Sequence, residues 1–254
     1  EADGSLTVTG NLNLVTTLDG DYFEVGRNVA TAQNRPVQPL VNIPLPAGTD
    51  AAGFLITGLT STDVRPFDPL YLRPTVDLSG IERRPEPGES PFPANLQLVT
   101  TGTTGSQRLL LAAGQFQDDT QRLYTRIVGD LLPKLAGSDG IGPRFLSVET
   151  DTSGPVPTIS VVTAEAAERV VLLYQPRGTA DWVLLPLSSV DDTNWTGTGL
   201  PTDAEGSVVE FFLQGVGFDN DVSIVNNKVE NFFNAGDPTG GPLTITPVPD
   251  ANEA

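Results

Sequence analysis

Residues 170–187 read VVLLYQPRGTADWVLLPL, and this stretch decides the fold class. It holds two short apolar runs, residues 170–175 and 182–187, with a proline and a glycine in the segment between them. Apolar runs of this length that are bounded by turn residues are typical of β-strands. The stretch therefore predicts two consecutive strands joined by a turn.

The same rhythm continues on both sides, from residue 143 to residue 236. Further strands are predicted at residues 145–150, 158–164, 207–215 and 222–232, and turns at residues 151–154, 191–194 and 219–221. Six or seven strands within about 95 residues, separated by turn signals, are the pattern of an immunoglobulin-like β-sandwich. This half of the chain is therefore predicted to be such a sandwich.

Particular motifs strengthen that prediction. They are VVLLY at residues 170–174, DW at 181–182, NW at 194–195, VEFFLQ at 209–214 and GFDNDVSIVNNK at 217–228. In this order they resemble the immunoglobulin-like or fibronectin-III-like domains of bacterial surface proteins and of accessory modules in secreted hydrolases. The resemblance implies a β-sandwich in an extracellular setting, but it does not specify a function, because one fold serves many functions.

The first half also predicts strands. Residues 6–18 alternate apolar and polar side chains, and the turn at residues 19–21 predicts a hairpin with residues 22–29. Other strands are predicted at residues 37–45, 54–59, 96–100 and 108–113. Residues 121–132 fit either a helix or a strand, and the all-β context favours a strand at 122–128.

Proline and glycine divide the chain further. Residues 60–95 are proline-rich and predict a long loop with one strand near 70–78, while residues 137–143 predict a domain boundary. The resulting prediction is an all-β protein of two β-sandwich domains, the second immunoglobulin-like. Residues 1–141 form the first domain, 142–236 the second, and 237–254 an acidic tail or linker.

Composition excludes several chemistries. The 254 residues include 14 Lys and Arg against 32 Asp and Glu, a net charge of −18, and no His, Cys or Met. No Ser–His–Asp triad, disulfide or thiolate metal site is therefore available within the chain. The excess of acidic residues argues against nucleic-acid binding. The sequence contains no apolar run of ~18 residues, the length that a membrane-spanning helix needs. A bacterial or archaeal exterior agrees with these features.

Calcium is the one cofactor that the residues suggest. Asp19, Asp21, Asp219 and Asp221 form two Asp-x-Asp turns, and calcium is bound by several oxygen ligands of this kind. The alternative is that both turns are simply solvated. The adjacent acidic pairs at residues 118–119 and 191–192 are interpreted as turn formers rather than as catalytic carboxylates. Asn194 begins the sequon Asn-Trp-Thr and is a candidate glycosylation site.

Two segments are candidate interfaces. The proline-rich loop carries Arg65, Arg73, Arg83 and Arg84, which suit pairing with acidic patches of another subunit, although solvation is the alternative. The tail contains an apolar island at residues 243–248. Its Leu243 and Ile245 suit a strand that adds to an exposed sheet edge.

The leading functional prediction is a non-catalytic structural subunit or segment of a surface layer, filament or adhesin. It would associate with itself, or with neighbouring domains of a larger chain, by strand addition and loop packing. One alternative is an accessory region of a larger secreted hydrolase, such as a peptidase or glycosidase. Another is a carbohydrate-binding module that uses Trp182 or Trp195 as a stacking platform, although both are expected in the core.

Overall fold

The computed structural model describes residues 5–31, 35–45, 48, 50–71, 92–93, 96–101, 107–151, 156–176, 178–200, 210–225, 233–234 and 245–247. These residues form β-strands that are connected by turns and loops. None of them belongs to a helix, so no helical membrane span is found in this part of the chain. The all-β prediction is confirmed.

The strands of the first half are β1 (Ser5–Thr9), β2 (Leu12–Thr17), β3 (Gly20–Val25), β4 (Val29–Ala30), β5 (Gln38–Pro44), β6 (Ala51–Val64), β7 (Gln97–Thr101), β8 (Gln107–Ala112), β9 (Gly114–Gln117) and β10 (Thr120–Pro133). Those of the second half are β11 (Phe145–Asp151), β12 (Thr158–Thr163), β13 (Arg169–Gln175), β14 (Asp181–Pro186), β15 (Ser188–Ser189), β16 (Asn194–Thr198), β17 (Glu210–Val216), β18 (Val222–Val225), β19 (Phe233–Asn234) and β20 (Ile245–Pro247).

A ten-stranded sheet runs through both halves of the chain. Its order is β1-β10-β6-β14-β13-β17-β18-β20, with β9 beside β10 and β19 beside β17. Two four-stranded sheets, β11-β12-β16-β15 and β4-β5-β8-β7, and the hairpin β2-β3 accompany it. The pairings within these sheets are antiparallel, as is typical of chains whose strands follow one another through short turns.

Four strands of the large sheet, β14, β13, β17 and β18, have cores on both faces, and we call them the central sheet. On β17, Phe212 packs in a core with Phe54 and Ile56 of β6, while its neighbour Phe211 packs in a second core with Ile159 of β12 and Trp195 of β16. Successive side chains of a strand point to opposite faces. The near-continuous apolar runs of β13 and β17 therefore reflect burial on both sides.

The strands β11, β12, β16 and β15, which we call the outer sheet, are covered on one face only. In β12, Ile159 and Val161 are buried, whereas Thr158 and Ser160 are exposed. In β16, Trp195 is buried between the exposed Asn194 and Thr196. This alternation is the ordinary pattern of a sheet with one solvated face.

Three glutamine side chains occupy part of the edge of β6. The Phe54 N–H donates to Gln97 Oε1 (2.7 Å) and Gln97 Nε2 donates to the Phe54 carbonyl (3.0 Å). Gln214 binds Ile56 in the same way, at 2.9 and 2.7 Å. The Ala51 N–H donates to Gln107 Oε1. An amide offers one acceptor and donors, as a peptide group does, so these side chains replace a neighbouring strand.

The ladder between β6 and β14 joins the halves through two residue pairs, Leu59 with Trp182 and Thr60 with Asp181. Side chains reinforce it. Trp182 Nε1 donates to Ser61 Oγ (3.0 Å), and its ring lies edge-on to that of Phe212, with 5.6 Å between centroids.

Arg122 of β10 adds charged contacts to the same junction. Its guanidinium donates to Asp63 of β6 (2.9 Å) and to Glu210 of β17 (2.8 Å), and it lies 6.0 Å from the ring centroid of Trp182. Its side chain is 17% exposed and the two carboxylates are 41% exposed. Because solvent screening is reduced around Arg122, these ion pairs are stronger than pairs on the open surface.

The predicted division at residues 141 and 142 falls in the loop between β10 and β11. Strands from both sides of it share the ten-stranded sheet, and the larger core contains Phe54 and Ile127 as well as Leu173 and Phe212. The two-domain division itself stays a prediction.

Several predicted bounds are wrong. The strand predicted at residues 6–18 is two strands, because the chain leaves the β1–β10 ladder at Gly10 and β2 pairs with β3 instead. Leu14, predicted to face inward, is 55% exposed. The loop predicted from residue 60 begins after Val64, since β6 continues along β10. The strand predicted near residues 70–78 lies mostly outside the described residues.

Other strands are confirmed or were missed. The strand at 122–128 is confirmed as part of β10. The strands predicted at 96–100 and 108–113 are confirmed as β7 and β8, which pair with each other. Residue 194, predicted in a turn, begins β16, which the sequence did not reveal. The strand predicted at 222–232 is described only up to Val225, as β18.

Candidate functional site

An acidic cluster lies where the β17–β18 turn meets the loop between β10 and β11. Asp219 and Asp221 belong to the turn, which closes through the Gly217 N–H donating to the Asp221 carbonyl (2.9 Å). Asn220 has φ 71°, a left-handed conformation that asparagine tolerates, and its Nδ2 donates to the Pro133 carbonyl. Asp139 joins them from the loop. Candidate ligand atoms of the three carboxylates lie within 4.8 Å of one another.

Asp221 is the buried member of this cluster, with 0% of its surface exposed. Its Oδ1 accepts a hydrogen bond from Ser138 Oγ (2.6 Å) and its Oδ2 accepts one from the Gly140 N–H (3.0 Å). Burial raises the pKa of the Asp221 carboxyl, because the charged form loses its hydration, and the charges of Asp219 and Asp139 raise it further. The two hydrogen bonds act in the opposite direction without reversing the shift.

The other two carboxylates are held by the backbone. Asp139 Oδ1 accepts from the Ile141 N–H (2.9 Å), and Asp219 Oδ1 accepts from the Asp221 N–H (3.2 Å). Gly142 lets the loop lie flat on β18, because a Cβ at this position would lie 2.4 Å from the backbone of residues 222 and 223. The turn geometry thus follows from Asx bonding and from a close backbone approach.

Chemically, three converging carboxylates suit a hard cation such as calcium, which is bound by oxygen atoms. The sequence predicted Asp219 and Asp221 as ligands, and the structure brings them together with Asp139. Asp139 was missed because it lies some 80 residues away, in a segment interpreted as a domain boundary. A signal was present, since Ser138-Asp139-Gly140 is itself a turn with an acidic residue.

The other predicted pair, Asp19 and Asp21, lies at the tip of the β2–β3 hairpin. Asp21 lies in β3, where its backbone N–H donates to the Asp68 carbonyl and its carbonyl accepts from the Leu70 N–H. Among the described residues, Asp139, Asp219 and Asp221 are the only group of three acidic side chains placed closely enough to share a cation. Asn226, whose side-chain oxygen is a possible further ligand near the second pair in the sequence, lies outside the described residues.

Of the predicted interface residues, the structure describes Arg65 and the backbone of Ile245. Arg65 Nε lies 3.3 Å from Asp119 Oδ1 and donates to Thr120 Oγ1 in the same chain. Ile245 lies in β20, which pairs with β18 through Val225 and Ser223 at an edge of the large sheet. Arg73, Arg83, Arg84 and Leu243 lie outside the described residues.

Asn194, the candidate glycosylation site, is an exposed residue at the start of β16. Its Nδ2 donates to Asp191 Oδ2 (2.7 Å) and its backbone N–H donates to Asp191 Oδ1 (2.7 Å). The bonds to Asn194 and to Thr193 lower the pKa of the Asp191 carboxyl well below its usual range. A glycan would replace one of the two hydrogens on Nδ2, which also donates to Thr193 Oγ1, and would leave one N–H that can donate to Asp191.

Both tryptophans lie in the core, as the sequence predicted. Trp182 is 4% exposed and Trp195 is 5% exposed, and the indole N–H of Trp195 donates to the Asp192 carbonyl. Neither ring presents an open face for stacking against a sugar.

Comparisons of the chain with family models, with curated proteins and with solved structures found no match. The resemblance of residues 143–236 to immunoglobulin-like and fibronectin-III-like domains therefore stays a prediction.

Proposed function

We propose that this chain is a non-catalytic structural subunit or segment of an extracellular assembly of a bacterium or archaeon, such as a surface layer, filament or adhesin. The observation that carries the proposal is the ten-stranded sheet, which includes strands of both halves and has β1 and β20 at its two ends. A sheet edge is a template on which another strand can pair. A neighbour can thus extend the sheet without any rearrangement of the core.

The strand orders of the second half support an immunoglobulin-like topology. The outer sheet has the order β11-β12-β16-β15, and the central sheet has the order β14-β13-β17-β18. If the strands from β11 to β18 are lettered A, B, C, C′, D, E, F and G, these orders become A-B-E-D and C′-C-F-G. These are the two sheets of immunoglobulin-like sandwiches. Such domains commonly build extracellular stalks and adhesins, which agrees with the proposed setting.

Composition supports the same setting. A chain without Cys and His carries neither disulfide nor imidazole chemistry, and a net charge of −18 keeps it soluble. The packing of the proline-rich loop against a neighbour is a further part of the proposal. It rests on the sequence, since Arg65 is paired within its own chain.

In the accessory-region alternative, the chain also serves as a structural all-β region, but it would pack against the catalytic domain of a larger hydrolase rather than against a second copy of itself. The carbohydrate-binding alternative is less favoured, because its two proposed stacking residues, Trp182 and Trp195, are buried.

Sedimentation velocity and negative-stain imaging over a range of protein concentrations test self-assembly. We expect the sedimentation coefficient to rise with concentration and ordered arrays or filaments to form. A chain that stays monomeric at high micromolar concentration would contradict self-assembly and favour the accessory-region alternative. Immunogold labelling of thin sections of source cells tests the location, and labelling confined to the cell interior would overturn it.

A further inference from the structure

The strand β1 forms one edge of the ten-stranded sheet. Its residues pair with β10 from Ser5 opposite Asp130 to Thr9 opposite Arg126, and no other described strand pairs with it. Every second residue of an edge strand directs its backbone N–H and C=O groups away from the sheet. These groups are complementary to any further extended chain.

Edge strands normally carry features that prevent such pairing. The strand β11 at an edge of the outer sheet carries Glu149 and Asp151, and β20 at the other end of the large sheet contains Pro247. Inward-pointing charges, edge charges and proline are the usual protections. The strand β1, with the sequence SLTVT, has none of them, and neither has β7 (QLVTT) at an edge of a four-stranded sheet, but of the two only β1 lies at an end of the large sheet.

The strand β1 is also uncharged, a property that it shares with segments such as residues 36–49 and 90–107. Residues 5–18 contain no charged side chain, although the whole chain carries a net charge of −18. Two copies of the chain repel each other over most of their surfaces. The repulsion is weakest where neither copy presents a charge, and β1 is such a place.

The sequence of β1 is also complementary to itself. When two β1 strands run antiparallel about a two-fold axis at Thr7, Thr7 faces Thr7, Leu6 faces Val8 and Ser5 faces Thr9. Every pair then joins side chains of like polarity, and Thr–Thr and apolar cross-strand pairs are favourable. Leu6 and Val8 are the half-buried side that packs on the large core, while Thr7 and Thr9 are exposed. The pairing thus continues both faces of the sheet into the second copy.

From these observations we infer that β1 is a homotypic interface, at which a second copy of this chain adds its own β1 antiparallel and centred on Thr7. The inference rests on the proposed self-assembly and specifies where one contact of that assembly lies. The interface is isologous, meaning that the same patch is used by both copies.

Replacing Thr7 with a charged residue tests the inference, because the Thr7 side chain is exposed and its replacement leaves the core unchanged. In Thr7→Asp two carboxylates face each other about 5 Å apart across the axis, so the dissociation constant rises at least about tenfold in low salt. Thr7→Lys weakens self-association in the same way. An equimolar mixture of the two variants associates again, because each pair then joins opposite charges.

The control is Thr196→Asp, which adds the same charge at an exposed threonine of β16 whose cross-strand partners, Ser160 and Ser188, are uncharged. Circular dichroism and thermal melting check that each variant is folded. Sedimentation equilibrium at low and moderate salt gives the dissociation constants of the wild type, the variants and the mixture.

The outcomes separate the two proposals. If the wild type self-associates and Thr7→Asp does so equally well, or the mixture fails to recover, the β1 interface is wrong while self-assembly stands. If the wild type is monomeric at all concentrations, because another part of the chain covers β1 or copies do not meet, self-assembly fails and the β1 interface fails with it. Selective loss in both single variants and recovery in the mixture support the inference.

Discussion

The outer and central sheets of the second half differ in what covers them. In the outer sheet, burial alternates along β12, where Ile159 and Val161 are buried and Ser160 between them is exposed. In the central sheet, β17 is buried continuously from Phe211 to Val216. The difference shows that alternation in a sequence indicates one covered face, whereas an unbroken apolar run indicates two.

The turns of the two sheets also differ in the exposure of an aspartate side chain and in the direction in which its pKa is shifted. Asp191 in the turn before β16 is exposed and accepts backbone hydrogen bonds, which hold the pKa of its carboxyl low. Asp221 at the end of the β17–β18 turn is buried against the loop from the first half, and burial raises the pKa of its carboxyl. The pKa of Asp191 is thus lowered by bonds within its own turn, whereas the pKa of Asp221 is raised chiefly by the burial of its turn.

The largest expected effect comes from neighbouring residues of β17. We expect Phe211→Ala and Phe212→Ala each to lower the free energy of unfolding by about 3–5 kcal/mol, because each leaves a cavity in a different core. In the outer sheet we expect Ile159→Ala to cost about 2–5 kcal/mol and Ser160→Ala less than about 0.5 kcal/mol. Urea denaturation measures all four values. A small effect for either phenylalanine would mean that the central sheet has only one covered face.

The next effect concerns Gln214, which connects the central sheet to β6. We expect Gln214→Leu to lower the free energy of unfolding by about 2–4 kcal/mol, because the Ile56 N–H and C=O groups remain buried without partners. The matched control is Gln175→Leu at a half-exposed position of β13, where water can replace the lost bonds. It is expected to cost less than about 1 kcal/mol. Equal losses in the two variants would contradict the role assigned to Gln214.

Calcium binding gives a smaller effect. If the acidic cluster binds calcium as predicted, free calcium at about ten times its dissociation constant raises the free energy of unfolding by about 1.4 kcal/mol. The change should vanish in Asp221→Asn and persist in Asp191→Asn, whose side chain lies in the turn between β15 and β16. Thermal melting of chelator-treated protein, with and without calcium, measures it. A wild type that does not respond would identify the turns as solvated.

The smallest effect is a difference in pH dependence, measured without divalent cations. Because the pKa of Asp221 is raised in the folded state, its contribution to stability is fully present below the ordinary pKa of 3.8 and is lost as the pH rises through the folded value. Because the pKa of Asp191 is lowered, its contribution is present above the ordinary value and is lost as the pH falls through the folded value.

Asp221→Asn should therefore gain stability relative to the wild type as the pH rises from acidic to neutral, and Asp191→Asn should lose it. Chemical denaturation at a series of pH values gives both slopes. Slopes of the same sign in the two variants would refute the assignment.

The local parts of this fold were predictable from the sequence. The hairpin of β2 and β3 follows from the turn signal at residues 19–21, although the turn itself occupies residues 18–19 and Gly20 begins β3. Most second-half strands follow from apolar runs between turns. The exceptions include the two-residue strand β15 and the longer strand β16. The residues of β16, Asn194 to Thr198, include one large apolar side chain, Trp195, and otherwise look like a turn. Its strand conformation is fixed by pairing with β12 and β15, which a local pattern does not contain.

The long-range parts were not predictable, because they depend on which surfaces meet. The unbroken run around Phe211 indicates that both faces of β17 are covered, but not by which strands, and Gly10 gives no sign that the chain changes sheets there. The candidate cation cluster shows the same limit. Asp219 and Asp221 share a turn and were found together, but Asp139 comes from a separate loop that only the tertiary fold places beside them.

The continuous sheet has a mechanical consequence. Tension applied between β1 and β20 passes through every ladder of the sheet in turn, and the β6–β14 ladder, with two residue pairs, is the shortest on that path. Hydrogen-bonded ladders yield where they have the fewest bonds to share the load. We therefore expect the hydrogen bonds between β6 and β14 to break first when the molecule is stretched, while the ladders on either side of this junction stay intact.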